Sequence, residues 1–161
     1  MDVKELKLRQ GSPEDMAEMQ KLYVDTIKNI CINDYNQEQI AIWTSSVENT
    51  IRWLNIFEKQ HVIIAEYREM IVGYCTLDAG GYLDLFYVHK DFQRKGIANK
   101  LLLEVEQRAV ELNYDVLTAN VSITAKPFFE KNGFTVVKEQ ENVIKGLVIV
   151  NYNMAKTLAA D

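Results

Sequence analysis

The sequence predicts an α/β fold, with α+β character, in which helices flank a mixed, mostly antiparallel sheet of about seven strands. The first observation is segment 81–112, where an aromatic and β-branched strand at 82–88 leads through a basic, glycine-containing turn into an amphipathic helix. The second is another strand directly after that helix, because a crossover helix joins strands that run parallel. The third is two pairs of consecutive strands, 61–67 with 70–77 and 134–138 with 146–154, which are expected to be antiparallel neighbours.

The first sixty residues predict one strand and three helices. Residues 3–9 alternate apolar and charged side chains, which indicates a half-exposed strand. Ser12 and Pro13 then start a helix well, as a cap and a first helical residue, and the apolar stripe that follows extends to Ile30. A short helix is expected at 37–43, and the capping-box pattern from Ser45 predicts another through Phe57.

The rest of the chain predicts six strands and two helices. The expected strands lie at 61–67, 70–77, 82–88, 114–120, 134–138 and 146–154. A long helix at 97–112 joins the third and fourth of these strands, which should therefore run parallel. A short helix starts at Ser122 or Thr124 and ends at Asn132-Gly133, a typical C-cap.

Length, composition and net charge limit the class of protein to which this chain can belong. A chain of 161 residues predicts one domain, residues 1–161, and a net charge of −5 argues against an extended nucleic-acid surface. Cys31 and Cys75 lie far apart in apolar surroundings, which predicts no disulfide framework and favours a reducing cytoplasm. With two histidines and no ligand spacing, we expect no metal site. Neither a membrane span nor a signal peptide is predicted.

The turn between the motif strand and its helix predicts an anion site. It contains two basic side chains, Arg94 and Lys95, followed by Gly96, which permits a tight turn and a close approach to the backbone. The first N–H groups of a helix have no partner within it and carry partial positive charge. This combination favours phosphate.

Two motifs in this order resemble a known family. Gln93, Arg94, Gly96 and Ala98 resemble the Q/R-x-x-G-x-G/A signature of the GNAT acyltransferases, and 128–134 (FFEKNGF) resembles their FYEKxGF segment. The run 121–129 is similar to the YafP-like bacterial branch. The resemblance implies an acetyl-CoA-dependent N-acetyltransferase, which moves the acetyl group directly to a primary amine of a small molecule or a protein.

The resemblance also implies a cofactor site. In this family the central parallel strands splay apart and hold the pantetheine arm, here beside the backbone of Phe86, Tyr87 and Val88. The loop would hold the pyrophosphate, mainly through main-chain N–H groups; its residues are Gln93, Arg94, Lys95, Gly96, Ile97 and Ala98. Ser122 falls where relatives carry an asparagine that touches pantetheine, and Phe129 falls where many carry a tyrosine that protonates the departing thiolate.

Asp84 is the first candidate for removing the amine proton, because it lies on the motif strand among apolar neighbours. An ordinary paired carboxylate remains the alternative, and Asp34 is the second candidate. Since Phe129 has no hydroxyl, Tyr152 is named as the substitute acid, with Tyr87 and Tyr114 left open.

Asp34, Tyr35 and Trp43 are expected to border the acceptor, although simple burial of the tryptophan is at least an equal alternative. A non-catalytic acyl-CoA-binding sensor is the competing function, favoured by Phe129. A homodimer is left open.

Overall fold

The computed structural model describes residues 1–158, which form one seven-stranded sheet and five α-helices. The strands are β1 (Leu6–Gln10), β2 (His61–Tyr67), β3 (Met70–Asp78), β4 (Tyr82–Val88), β5 (Val116–Ser122), β6 (Thr135–Ile144) and β7 (Leu147–Thr157). The helices are α1 (Met16–Ile30), α2 (Gln37–Thr44), α3 (Thr50–Lys59), α4 (Ile97–Glu111) and α5 (Lys126–Lys131). The strand order is β1-β2-β3-β4-β5-β7-β6, and every neighbouring pair is antiparallel except β4–β5. The predicted mixed, mostly antiparallel sheet is confirmed.

The parallel pair β4–β5 is joined at one end and open at the other. Its register covers two positions, Tyr82 with Thr118 and Leu83 with Ala119, after which the strands are no longer paired. On the other side of β4 the register with β3 slips near Thr76, whose hydroxyl accepts the backbone N–H of Leu85 at 3.0 Å. Such a bulge bends and twists a strand, which helps β4 to diverge from β5.

The sheet has a separate apolar core on each face. Helices α4 and α5 cover one face, where Leu101 and Val105 of α4 are fully buried and α4 packs on β2 and β3. Helices α1, α2 and α3 cover the other face, with Met19 and Ile27 packed on β2, β3 and β4. Burial of such side chains is the main stabilising contribution to the fold.

Several element boundaries differ from the prediction. Residues 3–5 form a 3₁₀ turn, so β1 starts at Leu6. The capping box expected at Ser45 is wrong: residues 45–48 form a 3₁₀ turn, and Asn49 caps α3 by accepting the N–H of Arg52 at 3.1 Å. Strand β5 starts two residues later than expected, at Val116.

Strand β6 is much longer than expected, and β7 ends three residues later than expected, at Thr157. The prediction stopped the first of them at 138, whereas β6 continues to Ile144 and turns through Lys145-Gly146 into β7. Both turn residues have positive φ, 50° and 82°, as a two-residue hairpin requires. Among residues 1–158, no helix combines the length and hydropathy needed to cross a bilayer.

Candidate active site

A cleft of about 880 Å³ opens where β4 and β5 separate. Its walls come from both faces of the sheet: the end of α1, the 89–96 loop, the start of α4 and the start of α5. Hydrogen bonds from Leu85 to Thr76 and from His89 to the Val72 carbonyl point towards β3. Because alternate N–H groups of a strand point in opposite directions, those of Phe86 and Val88 point towards the cleft.

The N-terminus of α4 faces this cleft. Gly96 precedes the helix with a φ of +82°, and no side chain caps it. The first helical bond runs from Lys100 to the Gly96 carbonyl at 3.2 Å, so the N–H groups of residues 97–99 lack an acceptor within the helix. A β-carbon at Gly96 would meet nothing within 4 Å, which leaves the surface above it open for a ligand. The unpaired N–H groups and the helix dipole both favour binding of an anion at the N-terminus of α4.

The predicted loop residues divide into two groups. Gln93, Arg94, Gly96, Ile97 and Ala98 line the cleft, whereas Lys95 is exposed and is not part of its lining. The Gln93 side chain turns back to the strand, where its amide donates to the carbonyls of Val88 (2.8 Å) and His89 (3.2 Å).

The carbonyl of Val88 is therefore already in use. It also accepts the hydroxyl hydrogen of Thr26 on α1 at 2.9 Å. These two side chains occupy the Val88 carbonyl, whereas the Val88 N–H points towards the cleft. Together, Gln93 and Thr26 fix the end of β4 and the start of the loop.

Asp84 lies in the cleft and is firmly paired. Its carboxylate accepts two hydrogen bonds from the Arg52 guanidinium, at 2.9 and 3.0 Å, and one from the Gln60 amide at 2.8 Å. The Asp84 side chain is 9% exposed, compared with 41% for Arg52. Burial raises the pKa of Asp84, but the bonds from Arg52 and Gln60 and the charge of Arg52 outweigh it, so the pKa is lowered overall. Asp84 is thus ionised in the resting protein at neutral pH.

The three predicted acceptor residues have different environments. Trp43 and Tyr35 line the cleft and pack edge-to-face at 5.2 Å between ring centroids. The Tyr35 hydroxyl donates to the Val150 carbonyl at 2.7 Å and accepts the N–H of Ile123 at 2.9 Å. Burial raises the pKa of Tyr35 to about 12. Asp34 lies outside the lining, where it accepts the Thr124 hydroxyl at 2.7 Å.

Phe129 lies where α5 meets the cleft. It is 4% exposed and packs against Phe86, Phe128 and Phe134, with ring centroids 5.0 to 5.5 Å away. Ser122 also lines the cleft, and its hydroxyl accepts the N–H of Ala125 at the start of α5.

The proposed substitutes for a tyrosine at 129 have different positions. Tyr152 is not part of the cleft lining; its hydroxyl donates to Glu139 at 3.2 Å, and its ring lies under the Lys126 ammonium. Tyr87 lines the cleft, and burial raises its pKa well above the ordinary value. Tyr114 packs against the α4 face of the sheet, outside the lining.

Sequence reasoning missed several cleft residues. Thr26 and Arg52 come from distant helices, and no local pattern marks them as partners of Val88 and Asp84. A set of carboxamide side chains on the last three strands was also missed. Its signal is the i, i+2 spacing of Gln140 with Asn142 and of Asn151 with Asn153, which places each pair on one face of a strand.

The model of the acetyltransferase (GNAT) domain matches residues 31–156, most of the chain and all of the cleft except the end of α1. The chain belongs to the GNAT acetyltransferase family. The sequence is similar to the uncharacterized N-acetyltransferase YafP of Escherichia coli K12, with 29% identity over 149 residues, covering 92% of this chain and 94% of YafP.

Two solved structures place this GNAT fold among its relatives. A GCN5-related N-acetyltransferase from Rhodopseudomonas palustris, also described as a class-II aminotransferase, superposes with a TM-score of 0.92 at 27% identity, covering 98% of this chain and 99% of that one. The PaiA N-acetyltransferase from Thermoplasma acidophilum, solved with coenzyme A, gives a TM-score of 0.77 at 21% identity, covering 94% and 98%. The GNAT family that the two motifs predicted is therefore confirmed, and the similarity to YafP agrees with the resemblance noted for residues 121–129.

Proposed function

We propose that this GNAT protein uses acetyl-CoA to acetylate a primary amine by direct transfer. The observation that carries the proposal is the opening of the α4 N-terminus onto the splayed end of β4 and β5. The PaiA protein was solved with coenzyme A, which supports the same donor here. The proposal treats residues 1–161 as one catalytic domain, because helices and strands along nearly the whole described chain line the cleft.

The donor has a natural position in this cleft. Its pyrophosphate would accept hydrogen bonds from the N–H groups at Gly96, Ile97 and Ala98, with Arg94 adding positive charge. The pantetheine amides would pair with the free edge of β4, where the N–H groups of Phe86 and Val88 point. Phe129 and Ser122 would then lie along the arm towards the thioester.

The chemistry needs few groups from the protein. A neutral amine attacks the thioester carbonyl carbon, and a new C–N bond forms while the carbonyl oxygen becomes an oxyanion. The N–H of Phe86 or Val88 would stabilise this oxyanion. The C–S bond then breaks, the acetamide remains, and coenzyme A leaves as a thiolate. The proton lost by the nitrogen passes to Asp84 directly or through water.

Two measurements test the proposal together. Acetyl-CoA should raise the melting temperature, because a ligand that binds the native state alone stabilises it. Free coenzyme A thiol should then appear in proportion to acetylated amine when a panel of primary amines is added. A protein that acetyl-CoA does not stabilise would refute the proposed donor site.

A further inference from the structure

The carboxamide side chains on the last three strands form one connected surface. We define the carboxamide row as Asn120 on β5, Gln140 and Asn142 on β6, and Asn151 and Asn153 on β7. The row lies on the face of the sheet that carries α1, α2 and α3, because Ile149, two residues before Asn151, packs into that core. Asn120, Asn142 and Asn151 line the cleft beside Tyr82.

Hydrogen bonds join the row across four strands. The Asn120 oxygen accepts from Gln140 and from Asn153, both at 3.1 Å, and its amide donates to the Tyr82 hydroxyl at 3.2 Å. The Asn151 oxygen accepts from Gln140 and Asn142, both at 2.9 Å. The row is therefore pre-organised rather than a set of independent surface amides.

The same network leaves a mixed set of groups for a ligand. Within residues 1–158, the Asn151 amide donor and the Asn142 oxygen, both on cleft-lining side chains, make no hydrogen bond to protein; the oxygens of Gln140 and Asn153, beside the lining, make none either. The Tyr82 hydroxyl hydrogen is also available, since Tyr82 accepts from Asn120. Hydroxyl groups match such a surface well, because each one both donates and accepts.

Charge distinguishes this surface from a site for polycations. The charged side chains that line the cleft, within residues 1–158, are Arg52, Asp84 and Arg94. Arg52 and Asp84 neutralise each other in the ion pair described above, and Arg94 belongs to the donor loop. Strand alternation directs Glu139 and Glu141 to the opposite face. An acceptor with several ammonium groups would find no carboxylate to pair with its additional charges.

We propose that the carboxamide row selects a compact amine that carries several neutral hydroxyl groups. The inference rests on the proposed acetyl transfer and names its acceptor class. One amine enters near Asp84, while hydroxyl groups on the same ring or chain bond to the row. Trp43 and Tyr82, at the borders of the same cleft, offer aromatic faces for the apolar side of such a molecule.

The test compares four amines at saturating acetyl-CoA, with kcat/KM calculated for the neutral form of each amine as the measured quantity, because the amines differ in pKa. Glucosamine carries one amine and several hydroxyl groups, cyclohexylamine keeps the ring and amine without them, spermidine is polycationic, and the tripeptide Ser-Ala-Gly offers amides. We expect glucosamine to exceed each of the others at least tenfold. A higher value for spermidine or for the peptide, or equal values for glucosamine and cyclohexylamine, would overturn the inference.

Variants of the carboxamide row test whether these side chains cause the preference for glucosamine. Asn151→Leu and Gln140→Leu keep side-chain size and remove the hydrogen-bonding groups, so each should lower kcat/KM for glucosamine about tenfold and leave cyclohexylamine unchanged. Gln107→Leu is the matched control, because Gln107 is exposed on α4 and bonds within its own helix. Asn151→Asp keeps the accepting oxygen and adds a negative charge, so the ratio of spermidine to glucosamine should rise.

Different results would refute the proposed donor site and the proposed acceptor class. A wild-type protein whose melting temperature acetyl-CoA does not raise would refute the donor site. A normal rise in the wild-type protein, with no preference for glucosamine or with no transfer to any of the four amines, would refute the acceptor class alone.

Discussion

At the scale of single residues, the hydrogen-bond partners of a cleft side chain determine its pKa and therefore its possible role in catalysis. Asp84 is a candidate base by position, yet Arg52 and Gln60 hold it as a carboxylate with a lowered pKa. A lowered pKa makes it a weak base that stays ionised throughout the neutral range. We propose that it receives the proton that the amine loses during transfer, directly or through water.

Asp84→Asn should lower kcat about a hundredfold or more, the usual contribution of a positioned proton acceptor, and leave the affinity for acetyl-CoA nearly unchanged. Since the pKa of Asp84 is below its ordinary value, the carboxylate stays charged from pH 5 to 9. The acid limb of the wild-type rate profile should therefore follow the pKa of the acceptor amine. Measuring kcat/KM across this range with two amines of different pKa tests this. An acid limb that does not move with the amine would contradict the assignment, as would unchanged turnover in Asp84→Asn.

Because Phe129 has no hydroxyl, variants at this position test whether a side-chain acid is needed when the thiolate leaves. An ordinary thiol has a pKa of roughly 8.5, so the thiolate is a tolerable leaving group near neutral pH. We expect the wild-type protein to be active, and Phe129→Tyr to retain the acetyl-CoA-induced rise in melting temperature. Where chemistry limits the rate, the new hydroxyl should raise kcat in single-turnover measurements.

Tyr152→Phe is the companion variant. Its hydroxyl lies on Glu139 and outside the cleft lining, so we expect kcat to stay within about twofold of wild type. A wild-type protein that binds acetyl-CoA but transfers nothing, together with an active Phe129→Tyr variant, would support the acyl-CoA sensor instead.

At the scale of elements, the loop and the α4 N-terminus act as one unit. Gln93 and Thr26 tie the loop to the end of β4, and the positive φ of Gly96 turns the chain so that α4 points at the cleft. The motif predicted the unit, because the residue types are local and consecutive. The partner of Gln93 was not predictable, since the amide returns to its own strand rather than to a ligand.

Gly96→Val should abolish the acetyl-CoA-induced rise in melting temperature. The new side chain would occupy open space above the helix N-terminus, where the pyrophosphate would approach. At a hundredfold excess over Kd, wild-type stabilisation is about 2.7 kcal/mol, which corresponds to a rise of roughly 5–10 °C.

Gly80→Val is the matched control for strain. Gly80 has a φ of +79° and open space around its β-carbon, but it lies in the turn before β4, outside the cleft lining. Both variants should lose some stability, because valine is strained at positive φ. Gly80→Val should keep the ligand-induced rise; an equal rise in Gly96→Val would place the donor elsewhere.

At the scale of the whole molecule, Tyr35 joins parts of the chain that are far apart in sequence. Its hydroxyl connects the segment after α1 to the residue after β5 and to Val150 of β7. The sequence predicted an acceptor-binding role for the Tyr35 side chain. It lines the cleft through its ring, and the polar end is committed to the backbone.

Tyr35→Phe should destabilise the fold by about 1–3 kcal/mol, because it leaves the N–H of Ile123 and the carbonyl of Val150 without this partner. For a chain of this size, each kcal/mol lowers the melting temperature by roughly 2–4 °C. Tyr67→Phe is the control, since within residues 1–158 its hydroxyl makes no hydrogen bond to protein. Calorimetry that finds equal melting temperatures for the two variants would refute the structural role.

The sequence predicted the architecture better than the acceptor side of the cleft. Strand β4 and helix α4 start at the expected residues, because their apolar periodicity is strong and local. Strand β6 was cut short because Glu139 to Asn142 are polar, and a polar run favours a loop when the partner strand is unknown. The carboxamide row depends on the register of β5, β7 and β6, which no local pattern encodes.

Because side chains alternate along β5 and β7, acceptor selection and acetyl-CoA binding should depend on opposite faces of the same strands. Residues facing α4 and α5, such as Val121 and Met154, support the donor side, while their immediate neighbours Asn120 and Asn153 belong to the carboxamide row. A combinatorial library limited to positions 120, 140, 142, 151 and 153 would therefore diversify the acceptor without touching the donor loop. Such a library would allow new amine substrates to be selected on a background of constant acetyl-CoA affinity.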